Sequence, residues 1–247
     1  MGRSLRPGKA ELLRRWIIAS SISLVLVLAV ASATYSLARS RTYQLAGELV
    51  SRVDTTEKVV ALTFDDGPSD STPQILDMLA EAGVSATFYL NGAALDRYPE
   101  HGARIARAGH EIGNHTYTHR RMVFVSAGTV AREVETTDAA IARTGYRGPV
   151  TFRPPHGKKL WTLPHYLAEH RRTTVMWDVE PDSAGTPETD RIVEETATSV
   201  RPGSIVLLHV MDDSRSASRA AVPLIVGRLR ADGYRFVTVS ELLALGR

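Results

Sequence analysis

The chain of 247 residues contains no cysteine. That absence excludes a disulfide framework, a thiolate metal site and a cysteine nucleophile, so a bound metal would have to be held by His, Asp or Glu. Aromatic residues amount to only 6% beside 43% hydrophobic and 23% charged residues, a balance that excludes disordered and collagen-like chains and fits an ordinary globular domain. Excess positive charge is scarce once it is located along the chain. The formal net charge is +3, but residues 1–15 hold Arg3, Arg6, Lys9, Arg14 and Arg15 against Glu11, which leaves the remainder slightly negative. Without a basic face on the domain itself, nucleic acid is not an expected partner. A Gly-x-Ser-x-Gly elbow is missing too, so a serine hydrolase is not expected, and Ser69 and Ser71 read as turn and N-cap residues. No protein partner is evident.

Long apolar runs are also rare, and the one that exists is placed tellingly. Trp16 to Thr34 is uncharged and mostly apolar, with Arg14 and Arg15 before it and Arg39 and Arg41 after it. A bilayer-spanning helix needs about 20 such residues, and the denser positive charge on the N-terminal side predicts that this end stays in the cytoplasm. The expected organisation is a basic cytoplasmic tail (1–15), a single-pass transmembrane signal-anchor (16–38), a polar stalk (39–57) and one folded domain (58–247). The alternative is a cleaved signal peptide, for which Ala31-Ser32-Ala33 offers a small-x-small site. One reading leaves the domain on the outer face of the cytoplasmic membrane and the other secretes it.

From Lys58 onward, short β-branched or aromatic runs alternate with amphipathic stretches, the pattern of parallel strands joined by helices. Strands are predicted over Val59–Phe64, Ala86–Leu90, Glu111–Asn114, Val150–Arg153, Thr174–Trp177, Ile205–Leu208 and Phe236–Val239. Helices are predicted over Pro73–Ala82, Arg97–Ala108, Thr129–Thr144, Asp190–Val200 and Ala220–Ala231, most of them followed closely by glycine, a usual C-terminal signal. The expected fold class is α/β, an irregular (β/α) barrel of seven or eight units, with an open doubly wound sheet as the alternative. Asp65-Asp66, His115, Arg153, Asp178, Asp182 and His209 fall at or just after strand ends. In both folds that carboxyl face carries the active site.

Asp65 and Asp66, followed by Gly67-Pro68, set two carboxylates side by side, which is costly unless a cation or a divided protonation state relieves it. The same residues also read as a solvated Asp-Gly-Pro turn. His115 and His119 at i and i+4 would project from one face of a helical turn and reach one ion, although a loop with two unrelated histidines has the same spacing. Joined with Asp66 they make an Asp-His-His set with positions left for water and substrate. His110 reads as structural, since it precedes its strand.

Thr63-Phe-Asp-Asp-Gly67, His115-Thr-x-x-His119, Arg153-Pro-Pro-x-Gly157 and Leu207-Leu-His209 together resemble, in order and spacing, four of the five motifs of the polysaccharide deacetylases of carbohydrate esterase family 4, the NodB homology domain. The resemblance spans about residues 58–245. It implies that Asp66, His115 and His119 hold a divalent ion, usually Zn2+ with Co2+ as an alternative, and that Asp65 is the general base. It further implies Arg153 as the partner that orients Asp65, the Pro155-His156-Gly157 loop as the source of a backbone oxyanion donor, and His209 as the acid that protonates the departing amine. Asp182 is the expected partner of His209, ahead of Asp178. Two positions depart from the family pattern: His156 stands where an aromatic residue is usual, and no tryptophan follows the aspartate of Trp177-Asp-Val-Glu-Pro-Asp-Ser183.

The implied activity is metal-dependent removal of N-acetyl groups from a GlcNAc-containing glycan such as peptidoglycan, a chitin-type oligomer or an exopolysaccharide. An O-acetyl xylan esterase and a deformylase of a lipid-linked amino sugar would use the same residues. A catalytically silent glycan-binding wall protein is the alternative of a different class, and it would have no need of both Asp65 and His209.

Overall fold

The computed structural model describes residues 9–183, 185 and 187–246. Seven short strands and nine α-helices alternate through these residues. The strands are β1 (Leu49–Val50), β2 (Val59–Asp65), β3 (Thr87–Leu90), β4 (Glu111–Asn114), β5 (Thr174–Val175), β6 (Ser204–Leu208) and β7 (Arg235–Val237). The helices are α1 (Lys9–Arg39), α2 (Thr72–Ala82), α3 (Gly92–Arg97), α4 (Pro99–Arg107), α5 (Ala127–Arg143), α6 (Thr162–Glu169), α7 (Thr189–Ser199), α8 (Ser216–Ala231) and α9 (Val239–Leu245).

The parallel order β4-β3-β2-β6 is extended at both edges, and β7 pairs with the start of β2. Phe152 bridges Asn114 on one side and Thr174 on the other, β5 pairs with β1, and the chain leaving β5 meets β6 through Val179 and Val206. The sheet therefore closes into an irregular barrel.

β2 is buried along its whole length, as expected of a strand covered on both faces. Its period of two separates the layers. Val60, Leu62 and Phe64 pack outward against α2 and α8 residues such as Leu79 and Val222, whereas Val59 and Ala61 join Tyr89, Val175, Trp177 and Leu207 inside. Thr63 and Asp65 continue the inward row towards the carboxyl end. The amino end is plugged by α9, whose Val239 and Leu242 enter the inner cluster.

Four expectations change. The segment 39–57 is not a free polar stalk, because β1 pairs with β5, Val53 is buried, and the Val53 N–H bonds the Gly203 carbonyl at 3.0 Å. A two-residue strand is too short to carry a periodicity. Val150–Arg153 forms no strand beyond the bridges at Phe152, because Pro154 and Pro155 cannot continue a ladder. The helix expected over Arg97–Ala108 is two helices, with Tyr98 between them and Pro99 starting the second. Finally, α1 begins at Lys9, so the later part of the basic tail and the apolar run form one helix of 31 residues with a window of mean hydropathy 2.3, long and apolar enough to cross a membrane. Residues 1–8 of the tail lie outside the described residues.

Candidate active site

Asp65 ends β2 with its side chain inward. Asp66 follows with a left-handed φ of 63°, and the two carboxylates lie 3.7 and 3.8 Å from the same His115 Nε2. Gly67 permits this turn, having φ 99° and a position where a Cβ would meet Met211 Cγ at 2.7 Å.

His115 and His119 do come together, but not on a helical turn. The 115–119 segment is a loop in which Thr116 and His119 have φ of 66° and 57°. Two polar side chains hold it. Asn114 accepts the Thr116 N–H at 2.9 Å, and Glu133 of α5 accepts the Tyr117 and Thr118 N–H groups at 2.9 and 2.8 Å and the Thr118 hydroxyl at 2.7 Å. Nothing in the His-x-x-x-His spacing reveals these clamps, since Glu133 lies more than a dozen residues downstream.

One ligand atom from each of Asp66, His115 and His119 lies within 4.8 Å of the others. Asp66 Oδ1 is 3.1 Å from His119 Nε2 and 3.8 Å from His115 Nε2. The His115 Nδ1–H donates to the Arg153 carbonyl at 2.7 Å, which leaves Nε2 bearing the lone pair. Burial lowers the pKa of both histidines, ahead of the opposing pull of the aspartates, and so favours neutral imidazole. Burial also raises that of Asp66, against the attraction of His115. Asp66 Oδ1 is buried without a hydrogen-bond partner. A carboxylate oxygen without a hydrogen-bond partner, facing two imidazole Nε2 atoms, fits a divalent cation of zinc type, which takes N and O donors and accepts fewer than four protein ligands in catalytic sites.

Two further pairs flank this cluster. Arg153 is fully buried and donates to Asp65 Oδ1 at 2.7 Å, to the Thr63 hydroxyl at 2.8 Å and to the carbonyls of Val175 and Met176, with its guanidinium 4.0 Å from the Tyr89 ring centroid. Opposite, the His209 Nδ1–H donates to Asp182 Oδ1 at 3.1 Å, and the His209 backbone N–H donates to Oδ2 at 2.7 Å. Burial opposes charge on His209, but the Asp182 hydrogen bond and the carboxylates of Asp65, Asp182 and Asp66 outweigh it and push its pKa up to about 9. Asp178 is turned away and binds the Ser204 hydroxyl and the Ile205 N–H instead.

In the Pro155–Gly157 turn, the Gly157 N–H is taken by Pro154 and the Lys158 N–H by Pro155. Pro155 has no N–H to give. His156, with φ 55°, sets its ring 4.6 Å from that of His119. The cleft over these residues has a volume of about 430 Å3, and Trp177 forms part of its wall together with Arg39 and Arg41. Trp177 stands before the aspartates rather than after them, and the two arginines belong to the segment 39–57 expected to be a stalk, so no local motif points to these wall residues.

A sequence model of the polysaccharide deacetylases matches residues 52–175. The chain belongs to the polysaccharide deacetylase family. It is 35% identical over 204 residues to a peptidoglycan-N-acetylglucosamine deacetylase of Bacillus cereus, covering 80% of this chain and 93% of that one. It is 32% identical to a chitooligosaccharide deacetylase of Rhizobium leguminosarum bv. trifolii over 76% of this chain and 84% of the other. Among solved structures, the Bc1960 peptidoglycan N-acetylglucosamine deacetylase superposes with a TM-score of 0.74 at 32% identity, over 78% of this chain and 91% of that one. A family 4 pseudoenzyme from Bacillus anthracis has a TM-score of 0.73 at 28% identity, over 80% and 69% of the two chains.

Proposed function

We propose that this polysaccharide deacetylase hydrolyses N-acetyl groups of a GlcNAc-containing glycan outside the cytoplasmic membrane, with Zn2+ held by Asp66, His115 and His119. The observation that carries the reading is the buried Asp66 Oδ1, without a hydrogen-bond partner and set 3.1 and 3.8 Å from the Nε2 atoms of His119 and His115. A divalent ion bound there supplies Lewis acidity for the acetyl carbonyl and the attacking water.

The chain's own groups do the rest. Asp65, fixed by the buried Arg153 fork, takes the proton of the attacking water as its oxygen bonds to the acetyl carbon. The His156 N–H, the one backbone donor of the turn not spent within it, would meet the carbonyl oxygen as it gains charge. His209, kept protonated by Asp182, gives its Nε2 proton to the amine nitrogen as the C–N bond breaks. The new carboxyl group gives its proton to the free amine, acetate and the amino sugar leave, and the proton on Asp65 returns to His209 through solvent. A protein that only binds glycan would gain nothing from two proton carriers on opposite sides of one cleft.

The apolar helix is read as an uncleaved signal-anchor, because its apolar run is long enough to span a bilayer, and Ala38 at its end is buried against the domain, with the Lys159 N–H bonding its carbonyl at 3.2 Å. Acetate release by the full chain, stripped with chelator and reloaded with zinc, is the test, with chitooligosaccharides, peptidoglycan and acetylated xylan compared side by side. Release from an amide substrate that depends on zinc supports the reading; release from xylan alone points to an esterase; none at all, with one ion bound per chain, points to a silent binder.

A further inference from the structure

The end of α1 is fixed on the catalytic domain. Besides the Lys159 N–H bond to Ala38, the buried Lys159 ammonium donates to the Ser40 carbonyl, so the helix is tied to the loop that also carries His156 and Lys158. From there α1 runs beside the 121–124 segment. A groove of about 760 Å3 lies between them, lined by Leu26, Val30 and Phe124 together with Arg39, Arg121 and Lys158. With a rise of ~1.5 Å per residue, Leu26 lies roughly 18 Å along α1 from Ala38, in the middle of the uncharged run. Phe124 is 84% exposed and is held at φ 53°, a conformation rare for a residue of its size.

The groove and the catalytic cleft share Arg39 and Lys158 on their walls. Burial and then the neighbouring charges of Arg39 and Arg121 lower the Lys158 pKa, which reflects positive groups gathered at one place. No carboxylate of the described residues pairs with any of the three. An apolar channel walled by a membrane helix, ending in unpaired cations at the mouth of a sugar site, matches a molecule with a hydrocarbon tail, an anionic junction and a glycan head.

We propose that the substrate is a lipid-linked glycan phosphate whose hydrocarbon chain lies between α1 and Phe124, whose phosphate meets Arg39, Arg121 and Lys158, and whose N-acetylated sugar enters the cleft at Asp66, His115 and His119. The inference rests on the deacetylase and anchor readings above. A bilayer phospholipid would also fill the groove, but it would bring nothing to a cleft that shares the same cations.

The test uses the zinc-loaded full chain in phosphatidylcholine nanodiscs. It compares kcat/KM for polyprenyl-phosphate-linked chitobiose with that for free chitobiose. The lipid-linked sugar should be favoured by about tenfold or more, and Phe124→Asp, which lies outside the cleft, should abolish the preference without changing the rate on the free sugar. Equal rates in the parent chain, or a preference that survives Phe124→Asp, overturn the proposal. A second readout does not depend on turnover. Because the chain has no cysteine, Phe124→Cys gives a single site for an environment-sensitive fluorophore. Its emission should respond to the lipid-linked sugar; a response only to phosphatidylglycerol identifies a bilayer lipid as the occupant and overturns the proposal. If neither sugar turns over while the label still responds to the lipid-linked one, the deacetylase reading falls and the groove assignment stands.

Discussion

The two ends of the barrel both bury titratable groups, yet they are finished differently. At the amino end, Glu111 accepts from the Ser240 N–H and hydroxyl at 2.8 and 2.9 Å, and His110 Nδ1 accepts the Ala86 N–H at 3.3 Å. α9 closes over Glu111. At the carboxyl end, Asp66 Oδ1 has no partner, and four residues near it, Asp66, Thr116, His119 and His156, hold left-handed backbone angles. Strained, non-glycine conformations persist where the surrounding structure over-determines them, as functional sites do. Burial alone therefore does not mark the site; the difference lies in which end leaves bonding capacity unused.

Breaking the carboxyl end at its most buried member should give the largest effect. Arg153→Leu leaves Asp65 as an uncompensated buried charge, and removing one partner of such a pair costs about 3–5 kcal/mol. Urea unfolding should show that loss along with acetate release at background. An unchanged midpoint would mean that Asp65 is solvated or partnered elsewhere. Next, Asp65→Asn should lower turnover by roughly 10²–10⁴-fold while the bound zinc stays near one per chain, whereas His119→Ala should lose both. Equal loss of metal in the two variants would reverse the separation of base from ligand.

How much of this could be read from the chain depends on distance along it. Asp65, Asp66, His115 and His209 stand at or beside strand ends, and His119 and Arg153 belong to short motifs in the loops, so local pattern makes all six candidates. Asp182 is the expected partner of His209 ahead of Asp178, and in the structure it accepts two hydrogen bonds from His209 whereas Asp178 accepts from Ser204 and Ile205. What could not be read is what arrives from elsewhere: Glu133 reaching from α5 to shape the histidine loop, β1 joining the barrel from a segment that looks polar, and Trp177 and Arg41 lining the cleft. A left-handed φ at Thr116 and His119 has no signature in residues that are neither glycine nor asparagine.

Asp182→Asn probes the carboxyl end more gently. The His209 pKa of about 9 is raised chiefly by its bond to Asp182, against burial. With that charge removed, His209 should lose its proton at lower pH. The alkaline limb of kcat against pH should therefore move to more acid values, with kcat itself down about 10–100-fold, as for a lost orienting partner. A limb that stays in place would show that a group other than His209 supplies the proton.

The smallest effect is expected at the amino end, and it should appear in stability rather than rate. His110 has no carboxylate beside it, so burial alone lowers its pKa from 6.5 to about 4, opposite in direction to His209. On acidification the unfolded chain takes up this proton first. Its contribution is complete above pH 6.5 and is lost as the pH falls towards 4, a span worth about 3 kcal/mol. In His110→Asn, the side-chain oxygen can still accept the Ala86 N–H while no proton is taken up. Unfolding midpoints between pH 4 and 6.5 should thus vary less than in the parent chain, with acetate release at neutral pH unchanged. If this variant instead lost activity with its midpoint intact, the amino end would be part of the chemistry, and the distinction between a saturated end and an unsaturated one would fail.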